Sequence, residues 1–363
     1  MVLGVGIAAC GGDAGSGDSS ASAGGDTSAS AGGDSSGSTE GQIVGAGSDA
    51  QELAQEVWAQ GFERTGGDSI SYDAVGSAEG LRRFIDGDAA FAASDSPLAG
   101  GELAEAADRC KPGEPIELPV FISPIIVFSN LKLTAMEMSP QTLAKVFNGE
   151  ITRWDDQTIQ RENPSIGPIG LPPKLPIEPV GLSEEPAMTE QVTAYLDYEA
   201  PSIWDYGTSE DWPVEGDETA GDAVSASEVV GEKDGRVGYT DFSHVGQLFG
   251  VTRLAARGGF FVEPSAQTTT ARLENAHLDT ALGSGQRVLP VELEQKVPPG
   301  SYPLVLVSYL VACTDYDSPR EAAAVDAYVD YVAGRKGQEA SAESAGTAYP
   351  PPWLRKKINA ALG

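Results

Sequence analysis

Three short turns carry side chains that could hold an oxyanion: Gly45-Ala46-Gly47-Ser48-Asp49, Gly76-Ser77-Ala78 and Ser94-Asp95-Ser96-Pro97. In each, a β-rich run gives way to glycine or serine and then to a helix-forming stretch. Glycine lets the backbone approach a ligand closely. The first turn of a helix offers unpaired N–H groups and the positive end of its dipole, and a serine hydroxyl can donate one hydrogen bond more. Taken singly, each turn also matches an ordinary helix cap; three of them close together favour a common task. Asp95 is the odd member. A carboxylate repels an anion unless the anion keeps a proton that the carboxylate can accept. The local alternative is an Asx-turn in which Asp95 caps Ser96-Pro97.

These turns need elements to position them. Residues 42–44 read as a strand. A helix follows from Ser48, with apolar positions at Ala50, Leu53, Ala54, Val57, Trp58 and Phe62, and Ser48 with Gln51 forms a capping-box pattern. A strand at 69–74, a helix carrying Leu81, Phe84 and Ile85, and a strand at 89–93 come next. Residues 116–130 and 301–312 are long, apolar and β-rich, and read as crossovers out of one lobe and back into it. Between them lie a helix starting at Ser139-Pro140 and ending at Asn148-Gly149, a strand at 175–181, a helix at 187–196 and a strand at 236–241. Helices at 318–332 and 352–362 close the chain. Alternating strands and helices predict an α/β fold. The two crossovers predict two lobes joined by a hinge: residues 41–122 with 306–363, and residues 123–305. Ligands of open α/β sheets bind beyond the carboxyl ends of the strands, which here is the cleft between the lobes.

The formal net charge of −31 argues against nucleic acid or anionic membrane surfaces as partners. Any attraction for an anion must therefore come from local donors. There are three cysteines. Cys10 ends Ile7-Ala8-Ala9-Cys10, a lipobox-like sequence, so residues 1–10 read as a trimmed signal segment whose cysteine is acylated. The alternative is a flexible tail with a stray thiol. Residues 11–40, almost wholly Gly, Ser, Ala, Asp and Thr, read as a disordered tether. The expected location is extracytoplasmic, anchored to the membrane by lipid. Cys110 and Cys313 then remain as a pair, read as a disulfide with two buried free thiols as the alternative. No Ser-His-Asp set, phosphate-binding P-loop or zinc signature is visible, and the two histidines, His244 and His277, read as polar surface or core residues. The expectation is a binding protein, not an enzyme, without cofactor or metal.

The three turns, together with Phe91-Ala92-Ala93 before Ser94, Leu143-Ala144-Lys145-Val146-Phe147-Asn148-Gly149-Glu150-Ile151-Thr152-Arg153-Trp154, Gly235-Arg236-Val237-Gly238-Tyr239 and Tyr302-Pro303-Leu304-Val305, resemble segments of the phosphate-binding proteins of phosphate ABC importers. The resemblance runs from Gln42 to the C-terminus. It implies the two-lobe periplasmic-binding-protein-like fold, capture of phosphate or a related oxyanion, and delivery to the membrane subunits of an ABC permease. It assigns Ser77 and Asp95 to the ligand, with Ser48 or Asp49 at a contacting helix start. Hydrogen phosphate would supply the proton that Asp95 accepts. In the second lobe the likeness breaks. Where the family carries Arg-Ser-Asp-Gly-Ser-Gly-Thr, this chain has Leu182-Ser183-Glu184-Glu185-Pro186-Ala187-Met188. Only Ser183 survives as a ligand candidate, and it also reads as the cap of the following helix. Arg82, Arg153 and Arg236 are the candidates for a replacement cation. Two alternatives stay open: the same fold with a cationic or partly apolar ligand, and a surface interaction protein that has lost its ligand.

Overall fold

The computed structural model describes residues 42–131, 135–166, 170–245, 249–256, 259–282 and 285–363. Cys10 and the 11–40 segment, with the expectations attached to them, lie outside the described residues.

The strands are β1 Gln42–Gly47, β2 Ser69–Ala74, β3 Phe91–Ser94, β4 Pro115–Ser129, β5 Ala135–Met138, β6 Glu178–Leu182, β7 Glu218–Ala220, β8 Arg236–Asp241, β9 Gly250–Ala256, β10 Phe260–Val262, β11 His277–Leu278, β12 Val291–Glu292 and β13 Val305–Cys313. The helices are α1 Glu52–Arg64, α2 Ser77–Asp86, α3 Gly100–Arg109, α4 Pro140–Phe147, α5 Gln157–Glu162, α6 Pro186–Glu199, α7 Ala223–Gly231, α8 Ala266–Arg272, α9 Pro319–Ala333, α10 Arg335–Ala345 and α11 Pro352–Leu362. The main sheet runs β2-β1-β3-β13-β4-β8-β6-β7, with β9 beside β4 and joined to β5 and β10. Strands β1, β2 and β3 are mutually parallel, as are β6, β7 and β8.

The two crossovers of the sequence are the two central strands. Residues 115–124 of β4 pair antiparallel with β13, and residues 125–129 pair with β8. One continuous strand therefore serves both halves of the sheet. Strand β13 lies antiparallel to both β3 and β4, so β3 runs the same way as β4; β8 runs against β4. Ser94 at the end of β3 is level, through Tyr309, with Pro119, while Asp241 at the end of β8 is level with Ile125. The carboxyl ends of the two parallel sets thus point toward each other along β4. That opposition of strand directions creates a cleft with helix starts on both walls.

Burial explains why β4 and β13 are central. Every residue of β13, and every residue of β4 after Pro115, is buried, which fits strands covered on both faces rather than an alternating pattern. Each fully buried Val, Leu, Ile or Phe side chain contributes about 1.5–3 kcal/mol. On the first half, Ala54, Trp58 and Phe62 of α1 and Leu81 and Phe84 of α2 make the apolar stripes that cover the sheet. Trp58 also donates its Nε1–H to the carbonyl of Gly337 in α10, 2.8 Å away, tying α1 to the C-terminal helices. A disulfide joins Cys110, just after α3, to Cys313 at the end of β13, with 5.1 Å between Cα atoms.

Local expectations differ from the structure at the start of the first helix. The helix expected from Ser48 begins as a short 3-10 turn, Asp49–Gln51, before α1, and Ser48 makes no side-chain cap bond. The Ser48–Gln51 capping box does not form, because both side chains have tertiary partners. Ser139, by contrast, caps α4 by accepting the Thr142 N–H, with Pro140 in the first turn. Among the described residues no helix is long and apolar enough to cross a membrane.

Candidate functional site in the cleft

The first wall of the cleft is built from the three turns after β1, β2 and β3. Ser48 is 1% exposed, and its hydroxyl reaches both carboxylate oxygens of Asp95, at 2.8 and 2.7 Å. The Asp95 backbone N–H donates to Ser77 Oγ at 3.1 Å, and that hydroxyl lies 3.3 Å from Asp95 Oδ2. Three residues from three parallel strands therefore meet at one buried carboxylate. Tyr72 of β2 fastens the arrangement by donating its hydroxyl to the Ser48 carbonyl at 2.8 Å.

Backbone conformation sets this up. Gly76, immediately before α2, has φ of +80°, a region that costs a side-chain-bearing residue free energy. It turns the chain so that Ser77 opens the helix. Gly80, one turn later, lies so close to β1 that a Cβ there would meet the Gly47 Cα at 2.2 Å. The helix start can press on the end of β1 only because both residues are glycine.

Charge at this wall is negative. Burial pushes the Asp95 carboxyl above its ordinary value, and nearby Asp241 adds to that, while the hydroxyls of Ser308, Ser48 and Ser77 pull it back. Asp49, beside Ser48, is raised to about 6, first by burial and then by Asp222, Asp95 and Glu52.

The opposite wall comes from the ends of β6, β7 and β8. Leu182, Met188 and Ala187 are buried in the core, so the segment that differs from the expected arginine clamp is packed as structure. Ser183 does not join the site. It is exposed and donates its hydroxyl to the carbonyl of Ala220 at 3.2 Å. It does not cap the helix either; α6 begins at Pro186 with Glu185 in the cap position. Glu185 is the residue that points inward. It is 5% exposed, and its Oε1 accepts the Ala223 N–H at the start of α7, at 3.3 Å. Asp222 caps α7 through the Ser225 N–H. Asp241 ends β8 fully buried and is paired with His244.

None of the three candidate arginines supplies a cation here. Arg82 is an exposed partner of Glu79 and Asp86 on the face of α2. Arg153 is paired with Asp155. Arg236 sits at the amino end of β8, against Glu178, Glu218 and Glu232, at the opposite end of the strand from Asp241. Arg272, buried at the end of α8, lines the cavity that opens beside Asp95, and His244 pairs with Asp241. Burial alone would lower its pKa, but the hydrogen bond and charge of Asp241, helped by Glu52 and Asp49, raise it. The sequence reading missed His244, Asp241 and Glu185. The signal for the first two was present: Asp241-Phe242-Ser243-His244 repeats the strand-then-polar-turn design of the first half.

A cavity of about 300 Å³ opens beside Asp95 and Ser96, walled by Ala187, Gln191 and Tyr195 of α6 and by Val305 and Tyr309 of β13. It is lined by groups from both halves. Among the described residues no three or more His, Cys, Asp or Glu side chains are grouped so as to hold a metal ion. The arrangement can donate hydroxyl and helix-start N–H bonds and can accept protons on its carboxylates.

Opposed sets of strand ends, a cleft between them and a shared central strand define a two-lobe α/β solute-binding fold. The PBP superfamily domain matches residues 32–336. The chain is 30% identical to phosphate-binding protein PstS2 of Mycobacterium bovis (strain BCG / Pasteur 1173P2), over 98% of this chain and 94% of that protein. It is equally similar, with the same coverage, to phosphate-binding protein PstS 2 of Mycobacterium tuberculosis (strain ATCC 25618 / H37Rv). Among solved structures, a high-affinity periplasmic phosphate-binding protein, PfluDING, superimposes with a TM-score of 0.71 at 19% identity, over 88% of this chain and 93% of that one. The chain belongs to the PBP superfamily and, within it, to the family of PstS phosphate-binding proteins.

Proposed function

We propose that this protein is an extracytoplasmic solute-binding protein that captures inorganic phosphate, or a related proton-bearing oxyanion, and delivers it to an ABC permease. Two lobes, residues 41–122 with 306–363 and residues 123–305, close on the ligand by a hinge, and acylated Cys10 holds the protein at the membrane. The observation that carries the reading is the convergence of the Ser48 and Ser77 hydroxyls on buried Asp95. Two donors and one proton acceptor suit an anion that keeps a proton. The relatives named for phosphate binding support the same ligand class. Isothermal titration with phosphate, arsenate and sulfate tests it. Phosphate and arsenate bind, sulfate does not, and Asp95→Asn loses the distinction; absence of heat with all three ends the reading.

One observation favours a second reading. The charges of Asp95, Asp49 and Asp241 all bear on Glu185 across the cleft, while Arg82, Arg153 and Arg236 are paired elsewhere. A cationic solute would suit that field. Native mass spectrometry of protein purified without added solute separates the two readings by the mass that co-purifies.

A further inference from the structure

Glu185 is bound to the start of α7, the helix that packs against the Asp49–Gln51 turn of the first wall. The Ala223 N–H at the first turn of α7 is the kind of helix-start donor that binds oxyanions, and the Glu185 carboxylate already accepts it at 3.3 Å. Glu185 is 5% exposed and stands at the residue before α6. The ionisable groups whose charge reaches it are Asp95 after β3, Asp49 after β1 and Asp241 of β8, and its own charge reaches Tyr239 of β8. Behind them, Asp222 acts on Asp49, and His244 is engaged by Asp241.

Hydrogen phosphate brings one proton, which Asp95 can accept. Its remaining oxygens would then meet Glu185 as bare anion against bare carboxylate, in a buried space where like charges repel strongly. A second proton removes the conflict. It can come with the ligand, as dihydrogen phosphate, or it can sit on Glu185, whose neutral carboxyl then donates to the anion. Both descriptions are the same complex, with one proton more than a site built on Asp95 alone would hold.

We propose that Glu185 is a specificity-determining residue that makes the cleft accept phosphate only with this additional proton, so that capture favours acidic surroundings. The proposal rests on the phosphate reading above. Burial, followed by the charges of Asp95, Asp49 and Asp241, pushes the Glu185 carboxyl well above the ordinary glutamate range, with the Ala223 bond pulling the other way. The sign follows from linkage. A complex that holds a proton the free protein has released weakens as pH rises above the free Glu185 value.

The test is isothermal titration of the full chain and of Glu185→Gln with inorganic phosphate, from about pH 6 to about pH 9. The amide keeps an oxygen for the Ala223 N–H but cannot ionise. The titration of phosphate itself is common to both proteins, so their ratio isolates Glu185. The expected result is that Glu185→Gln binds more tightly at the alkaline end, the ratio growing by up to about tenfold per pH unit. Parallel curves with phosphate bound by both proteins overturn this proposal and leave the phosphate reading standing. Absence of phosphate binding by both at every pH overturns the reading, and the proposal with it. If Glu185→Gln fails to fold, Glu185→Ala supplies a second carboxylate-free variant. Titration of the unaltered protein in buffers of differing ionisation enthalpy, at the alkaline end, counts the protons taken up with phosphate directly. Uptake beyond that of the carboxylate-free variant supports the proposal, and equal uptake overturns it.

Discussion

The Nδ1 of His244 stands 2.6 Å from the Oδ2 of Asp241, with the Asp241 side chain fully buried and His244 partly exposed. The other oxygen of Asp241 accepts the N–H and hydroxyl of Ser243. A buried carboxylate is thereby fully partnered at the end of β8, with an imidazole as its basic partner.

This pair predicts a pH-dependent contribution to stability. The folded-state pKa of His244 is raised above its ordinary 6.5, so the stabilisation is fully present below the unfolded value and is lost as pH rises through the folded one. His244→Asn is expected to cost about 1–3 kcal/mol near pH 5.5 and less near pH 8.5. Urea midpoints at the two pH values measure it, and an equal cost at both would contradict the assignment.

Asp49 contributes a cost instead of a gain, although stability again falls as pH rises. Its carboxyl is raised to about 6 by burial and by Asp222, Asp95 and Glu52. Keeping it ionised therefore costs stability that appears above its unfolded value and grows until pH passes the folded one. Because the group is only half-buried, the cost at neutral pH is about 1–2 kcal/mol after allowance for solvent screening. Asp49→Asn should raise the urea midpoint near pH 7.5 and leave it almost unchanged near pH 4.

Gly80→Ala tests how the first wall is held. The added methyl would meet backbone, the Gly47 Cα at 2.2 Å, which cannot swing aside as a side-chain tip can. The better helix propensity of alanine, about 1 kcal/mol, is outweighed by overpacking. A net loss of about 1–3 kcal/mol is expected, with weaker phosphate binding because Ser77 and Ser48 shift apart. Thermal unfolding and isothermal titration on the same sample read both effects.

The Cys110–Cys313 bond closes a loop with a sequence separation of 203. Replacing both cysteines by serine should lower stability by about 2–5 kcal/mol. Denaturant unfolding of the native protein with and without reductant should reproduce the difference.

Part of the order of strands and helices was written into the local sequence, since period and turn chemistry act over a few residues. Ser139-Pro140 caps α4 for that reason, and the turns at Ser48, Ser77 and Asp95 could be picked out as a group. The destinations of buried polar side chains were a different matter. Nothing in residues 48–51 tells that Ser48 abandons its capping partner for Asp95, which lies 47 positions away. Nothing in residues 182–188 tells that Leu182 and Met188 belong to the core while Glu185 is buried against the start of α7. Those outcomes depend on β4, which lines up the end of β3 with Pro119 and the end of β8 with Ile125 and so turns two sets of strand ends toward each other. Sequence determined which residues could donate, accept or cap. Tertiary structure decided which of them share a cleft, because burial and charge act through space and the distances are set by strands far apart in the chain.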